Sequence, residues 1–513
     1  MASRQEHTNF RSNSSLVFTL FLVLCLLKPQ GHFALHENLN HQKQKQQLYH
    51  TVSVSSLLPF DDQSSCNNII PSSTTNGLSE RKASVGIAHR YGACNVSPQG
   101  GSNKAEAGAN LAFEILSNDQ ARVKYIKDRL QNFKSNEDLS LTSRKRDKKN
   151  GVYKKTTNLP AQRGTALGVA NYVVEVGIGT PPKQISLIFD TGSDLTWTQC
   201  EPCVTSCYKQ KQPIFDPSKS SSYSNISCST PLCSNLKSAT SVTPGCSSST
   251  CVYGIQYGDQ SFSVGLFAKE TITLSGTEVL QNIPFGCGQN NRGLFGSTAG
   301  LMGLGRHPLS IVSQTAQKYG KVFSYCLPTA KANSRGYLSF GSSGLPANLR
   351  YTTFSTSEDL FYKISMTAIT VGGYQVPLSA TVLKTDGQSI IDSGTVITRL
   401  PASIYNPMRD AFKKLMASYK LAQSYSILDT CYDFSNQTTI KIPTISFYFS
   451  GSNVKVDVVA NGILFAVNGI SQVCLAFAED DNNNIFGNMQ QQTLEVVYDV
   501  AGAKIGFAPN ACV

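Results

Sequence analysis

Histidine is nearly absent from the larger part of this chain. Of seven, His7, His32, His36, His41, His50 and His89 all precede residue 90, and His307 stands alone beyond it. A Ser-His-Asp or Cys-His nucleophilic site in that region would have to rest on this one residue. Zinc is poorly supplied for the same reason: no H-E-x-x-H occurs, and the Cys200–Cys203 pair (CEPC) has only His307 to join it among imidazoles. P-loop and G-x-S-x-G signatures are missing too. So are long apolar runs. Leu16–Leu27 (LVFTLFLVLCLL) is too short to span a bilayer as a helix, and no later run is long enough.

Charged residues make up 15% of the 513 positions and hydrophobic ones 40%. That is the composition of a soluble globular protein, and the length calls for two or more lobes. The net charge of +12 is unevenly placed. Residues 1–160 hold 21 Lys+Arg against 12 Asp+Glu, while residues 161–513 hold 24 against 21. The basicity belongs to the N-terminal third and says little about what the rest binds. Arg4 and Arg11 ahead of Leu16–Leu27 fit a secretory signal, with cleavage expected between Gly31 and Ala34.

Fifteen cysteines accompany this signal. Cys25, Cys66 and Cys94 lie in the N-terminal third, and the other twelve fall between Cys200 and Cys512. An even number in a secreted chain reads as six disulfides.

Between 35 and 110 the sequence is rich in Gln, Ser, Asn and His and weakly periodic. Over 106–133, Val123, Ile126, Leu130 and Phe133 recur at helical spacing, and Asp119 is a candidate cap. The basic run Arg144–Lys155 (RKRDKKNGVYKK) reads as a solvated linker, with a processing site or a nucleic-acid contact as sharper alternatives. From about Gly164 short alternating strands and Gly, Asn and Ser turns take over, an all-β texture. Ser403–Tyr419 is an exception, where Met408, Phe412 and Leu415 predict a surface helix.

Two segments in this β region repeat one pattern. In SLIFDTGSDLTW (Ser186–Trp197) a buried-strand run ends on Asp190, and in SIIDSGTVITRL (Ser389–Leu400) another ends on Asp392. One such motif is weak, because Asp and Gly are turn formers. Two copies weigh more. Each places Gly two residues after Asp, for a tight turn and close approach, and each supplies Ser or Thr hydroxyls able to hold a carboxylate. If two related halves pack face to face, the aspartates meet and share one proton. One carboxylate can then act as general base on water while the protonated partner polarises a carbonyl; aspartic proteases are the standard instance of this division.

FDTGSDLTWTQC, IDSGTVITRL, YGDQSFSVG and the dense cysteine cluster resemble the pepsin-like aspartic proteases, and among them the plant nepenthesin-type group, over about two thirds of the chain. The chain is also similar to a subgroup that includes a chloroplast-nucleoid DNA-binding protease. The resemblance implies an all-β, bilobal fold with the site between two β lobes and no cofactor. It implies a signal over 1–34, a propeptide over 35–163, and catalytic lobes over 164–345 and 346–513. Asp190 and Asp392 would be the catalytic pair. Thr191 and Ser393 would grip the two loops together, with Gly192 and Gly394 at the turns, and Ser193 and Thr395 would bind the outer carboxylate oxygens. Tyr257 would be the flap tyrosine. GLMGLGR (Gly300–Arg306) and IFGNMQQQ (Ile485–Gln492) would complete the loops around each aspartate strand.

By the same resemblance the disulfides would pair Cys200–Cys203, Cys207–Cys287, Cys228–Cys251, Cys233–Cys246, Cys326–Cys512 and Cys431–Cys474. Asn95, Asn225 and Asn436 stand in glycosylation sequons. Two positions depart from the pattern: Gln260 replaces a usual flap glycine, and Val396 a common hydroxyl residue. The basic N-terminal segment would cover an acidic cleft. The expected partners are a protein or peptide substrate and the chain's own propeptide, for a monomer without a membrane span. Secretion to the apoplast, or delivery to a vacuole, is the expected location, with a plastid as the alternative. The rival functions are a catalytically silent binding protein on the same fold and a DNA-binding protease; nucleic acid is not the expected partner.

Overall fold

The computed structural model describes residues 48–57, 104–137, 156–163, 171–257, 260–293, 295–329, 336–356, 360–452, 454–481 and 483–512, with side chains of the long helix over 112–131. The expected signal segment, Cys66, Cys94, Asn95, the Phe133 side chain and the basic run 144–155 lie outside them. The described residues from His50 onward belong to one compact unit.

The first alternating stretch folds as an antiparallel hairpin of Tyr172–Ile178 and Lys183–Asp190, with Val173 opposite Ile188 and Ile178 opposite Lys183. Gly179 turns at a φ of +90°, a conformation that suits glycine. From Ile185 to Asp190 every residue is buried. Phe189 and Leu187 anchor the strand in the main core, each contributing about 1.5–3 kcal/mol through burial.

This hairpin belongs to a 15-stranded sheet whose order begins Arg350–Thr353, Lys504–Ala508, Glu495–Asp499, Val322–Cys326, Gly336–Phe340, Thr157–Arg163, Tyr172–Ile178, Lys183–Asp190. The last strands of the chain thus return to the sheet of the first lobe. An eight-stranded sheet organises the second lobe around Lys363–Val371, Gln388–Ile391, Asn484–Phe486 and Thr398–Pro401. Both aspartate strands have a parallel neighbour. Gly300–Gly303 runs beside the first, with Gly303 opposite Asp190. Asn484–Phe486 runs beside the second, with Phe486 opposite Ile391. These neighbours are the GLMGLGR and IFGNMQQQ segments.

Two helices follow the sequence periodicity. Ala402–Leu415 buries Ile404, Tyr405, Met408 and Phe412 on one face. Lys104–Glu137 extends past both ends of the expected 106–133 and buries Ala112, Ile115, Leu116, Val123, Tyr125 and Ile126. Asp119 is not its cap: it lies in mid-helix and serves another element, described below. Farther upstream, Val54 is buried and donates its amide to the Thr438 carbonyl at 3.0 Å.

All twelve expected cysteines are bonded, but four of the six pairings implied by the resemblance are corrected. The bonds are Cys200–Cys287, Cys203–Cys207, Cys228–Cys246 and Cys233–Cys251, with Cys326–Cys512 and Cys431–Cys474 as expected. Register explains the first. Trp197–Gln199 runs parallel to Glu278–Arg292 with Thr198 opposite Cys287, which brings the buried Cys200 against that strand. Cys203 is left for Cys207 across a short loop. Burial sorts the other two: the buried Cys233 meets the buried Cys251, and the half-buried Cys228 meets the exposed Cys246.

Candidate active site

The two aspartate loops lock together through their second residues. Thr191 N–H donates to Ser393 Oγ at 3.1 Å, and Ser393 N–H donates to Thr191 Oγ1 at 3.0 Å. The hydroxyls donate onward across the interface, Thr191 to Ile391 O at 3.4 Å and Ser393 to Phe189 O at 3.3 Å. Behind each loop the parallel neighbour adds a brace: Leu304 N–H donates to Asp190 O at 2.8 Å, and Asp392 N–H to Phe486 O at 3.2 Å. Asp190 and Asp392 are both fully buried where the lobes meet.

Glycine is required at the turns by proximity. A Cβ on Gly192 would stand 2.8 Å from Asp392 Oδ1, and one on Gly394 would stand 2.6 Å from Asp190 Oδ1. Each Gly amide instead binds its own aspartate, Gly192 at 3.0 Å and Gly394 at 3.1 Å. Thr395 Oγ1 donates to Asp392 Oδ2 at 2.6 Å, as expected. The Ser193 hydroxyl, buried beside Asp190, helps to hold that carboxyl down, though burial outweighs it. The outer oxygen of Asp190 is bound by another residue.

That residue is Arg122, from the long helix, which the sequence reading did not single out. Its Nη1 and Nη2 donate to Asp190 Oδ2 and Oδ1 at 3.0 and 2.6 Å, and its Nε and Nη2 donate to Asp392 Oδ2 and Oδ1 at 3.0 and 3.0 Å. One guanidinium therefore covers both carboxylates, an arrangement suited to its planar donor set. At Asp190 burial is the largest influence, ahead of the opposing Arg122 charge and the reinforcing Asp392 charge, and the carboxyl is raised above its ordinary value. Burial also pushes Asp392 up, but Arg122, Thr395 and the Gly394 amide outweigh it and hold that carboxyl below the ordinary range. The pair thus has one carboxyl that takes a proton readily and one that resists it.

The same helix makes further contacts along the cleft. Arg129, buried, reaches Asp194 Oδ2 at 3.2 Å, and Asp194 in turn accepts the His307 amide at 2.9 Å. Asp119 accepts the amides of Val396 and Ile397 at 2.6 and 3.2 Å and pairs with Arg399 at 2.8 Å. Lys127 Nζ lies 3.0 Å from Asp480. Asp119, Arg122, Ile126 and Arg129 follow steps of three, four and three residues, so they share one face. That spacing was available in the sequence. Charges interrupt the apolar stripe that marks a docked face, so the spacing alone does not reveal it.

Tyr257 packs against the long helix. Its hydroxyl accepts the Trp197 indole N–H at 2.9 Å, and its ring packs 5.4 Å from Tyr125 of the helix and 5.5 Å from Phe295. Burial pushes its hydroxyl well above the ordinary value, so it remains a protonated donor. Gln260 N–H closes the turn on Tyr257 O at 3.0 Å, with a φ of +65°. That left-handed conformation explains why glycine is usual at this position. Asn225 and Asn436 are exposed.

Among the described residues no cluster of His, Cys, Asp and Glu is arranged to hold a metal ion, and no helix is long and apolar enough to cross a membrane.

Comparison with known proteins agrees with this geometry. Residues 172–342 match the family described as "Xylanase inhibitor N-terminal", and residues 361–509 match "Xylanase inhibitor C-terminal". An aspartyl protease family protein of Arabidopsis thaliana is 51% identical over 90% of this chain and 93% of its own. The aspartyl protease AED1 of the same plant is 47% identical over 90% and 92%. Aspartic proteinase nepenthesin-2 of Nepenthes gracilis is 39% identical over 67% and 78%. Among solved structures, basic 7S globulin from soybean superposes with a TM-score of 0.55 at 20% identity, covering 69% of this chain and 95% of that one, a likeness of fold. By these matches the chain belongs to the plant pepsin-like aspartic protease family.

Proposed function

We propose that the chain is a secreted aspartic endopeptidase made as a zymogen, with the helix Lys104–Glu137 as the segment that keeps it latent. In the open form Asp190 and Asp392 share one proton. The ionised carboxylate takes a proton from water as it attacks the peptide carbonyl, the protonated one donates to the carbonyl oxygen, and Tyr257 closes over the substrate. The grip between Thr191 and Ser393 holds the two carboxyls in register. Ser193 supports Asp190 as Thr395 supports Asp392.

The observation that carries this reading is the fourfold contact of Arg122 with both aspartates. A segment that only needed to be folded against the protein would not have to occupy its two most reactive carboxylates. A substrate cannot reach them while it does. The bland alternative is a silent binding protein on the same fold, favoured by the inhibitor wording of the matched domain names. Against it stand both aspartates, both gripping hydroxyls and the Trp197–Tyr257 bond, none of which a binding surface requires.

The test is hydrolysis of a peptide library by the purified precursor across a pH series, with and without pepstatin, followed by N-terminal sequencing of the product. Latency near neutrality and pepstatin-sensitive cleavage after acidification are expected. A precursor fully active at neutral pH with its helix attached would remove the zymogen, and no cleavage at any pH would remove the peptidase.

A further inference from the structure

Arg399 is a buried cation whose carboxylate partner belongs to the segment that is proposed to leave. It lies on Thr398–Pro401, seven residues beyond Asp392, and is 2% exposed. Asp119 Oδ2 is 2.8 Å from its Nη2. Among the described residues no other carboxylate forms an ion pair with it. The other contact is within its own strand end, from Nη1 to Ile397 O at 3.1 Å. Beside the guanidinium, the amides of Val396 and Ile397 point at the same carboxylate, at 2.6 and 3.2 Å. Two amide donors and one guanidinium from one short stretch therefore face one anionic group. A backbone edge whose two N–H groups are both engaged by Asp119, next to a buried guanidinium, is a built receptor for a carboxylate.

We infer that these groups form an acidic-side-chain subsite of the substrate cleft, with Arg399 as its specificity-determining residue and Asp119 as the stand-in occupant in the precursor. The inference rests on the reading that the helix vacates the cleft. Its geometry follows from the helix itself. Asp119 precedes Arg122 by three residues, and three residues of helix rise about 4.5 Å. An extended substrate advances about 3.3 Å per residue. The subsite thus lies within about one to three residues of the bond held at the dyad. A guanidinium left buried without an anion is strongly unfavourable. A substrate that supplies Asp or Glu there satisfies the site, whereas one that supplies Asn or Ala leaves it short of charge, the situation in which a polar site discriminates most sharply.

The helix could instead use Arg399 only as a latch, with no consequence for substrate choice, and the experiment separates the two. Protein opened and processed in acid is returned to about pH 5, where a peptide Asp is ionised, and offered peptides of one sequence carrying Asp, Asn or Ala in turn at each of the four positions on either side of the cleaved bond. At one position kcat/KM for the Asp peptide is expected to exceed that for the Asn peptide by about tenfold or more. Arg399→Gln brings that ratio close to one, and Arg399→Lys falls between. Equal rates for Asp and Asn at every position, or a ratio that Arg399→Gln leaves unchanged, overturn the subsite while the peptidase reading stands. Should Arg399→Gln not fold, the wild-type ratio alone decides. In a chain that hydrolyses no peptide, the same ratio is read as equilibrium binding of the fluorescent peptides by anisotropy. Equal binding there, or none, overturns the inference.

Discussion

Arg122 meets Asp392 through two parallel hydrogen bonds, Nε to Oδ2 and Nη2 to Oδ1, each 3.0 Å long, and Nη2 is shared with Asp190 at 2.6 Å. The cation offsets the repulsion between the two carboxyls that a shared proton would otherwise relieve. Closure of the cleft and ionisation of the dyad are therefore coupled.

Arg122→Gln removes that cation and leaves the carboxyls face to face. Loss of one partner from a buried ion pair costs about 3–5 kcal/mol, and proton sharing returns part of it. The helix is expected to lose about 2–3 kcal/mol of its hold. The variant precursor should cleave peptides at a higher pH than the wild type, as read from initial rates across a pH series. Latency unchanged from wild type would mean that Arg129 and Asp119 suffice.

Asp190→Asn and Asp392→Asn are each expected to lower turnover of the opened enzyme by at least about 10³-fold, because a dyad needs both an acid and a base. The fold should survive, which near-ultraviolet circular dichroism and the thermal midpoint would report. Near wild-type turnover in either variant would reassign the chemistry.

The pH of opening follows from the directions of the shifts. Asp392 is held below the ordinary carboxylate range, so its contribution to the closed form is complete above that range and is lost as the pH falls through the lowered value. Asp119 and Asp190 are raised, burial being the largest cause at each. Their protonation favours the compact form over a free chain, so neither drives release. Opening is therefore expected only below about pH 4, under the usual aspartate value. Activity and tryptophan fluorescence of the precursor between pH 6 and 2 would check this; opening complete at pH 5 would point to a different controlling group.

Sequencing of the processed chain is expected to find its new N-terminus between 138 and 156. Thr157–Arg163 is an interior strand of the large sheet, paired with Gly336–Phe340 on one side and Tyr172–Ile178 on the other. A cut beyond it would open the sheet at its middle. A product starting after Arg163 would mean that another strand fills the gap.

Peptide mapping without reductant should recover Cys200–Cys287 and Cys203–Cys207 as linked pairs and find no free thiol among the twelve. A Cys200–Cys203 link would restore the pairing implied by resemblance.

What the sequence made legible and what it hid divide along one line. Asp190, Asp392 and Thr395 were readable because each sits in a local motif whose chemistry depends on neighbours one to three residues away, while the grip of Thr191 on Ser393, 202 residues apart, followed from the resemblance. The partner of Cys200 depends on the register of a strand 87 residues along the chain, and that of Cys233 on which cysteines the fold buries, neither of which local spacing encodes. Arg122 was hidden for a different reason. Its helix was recognised from Val123, Ile126 and Leu130, but a docked face is read from apolar residues, and this one carries Asp119, Arg122 and Arg129 where the partner surface is itself charged.

The final strands of the chain lie in the sheet of the first lobe, and Cys512 is bonded there to Cys326. The two halves are therefore joined through one sheet as well as through the connecting chain. Release of the helix by fraying from its ends toward Arg122 needs no separation of the halves. The rate-limiting event in awakening the precursor would be helix melting, a local process. A cosolvent that favours helices would slow it, even at a pH where the dyad has already let go.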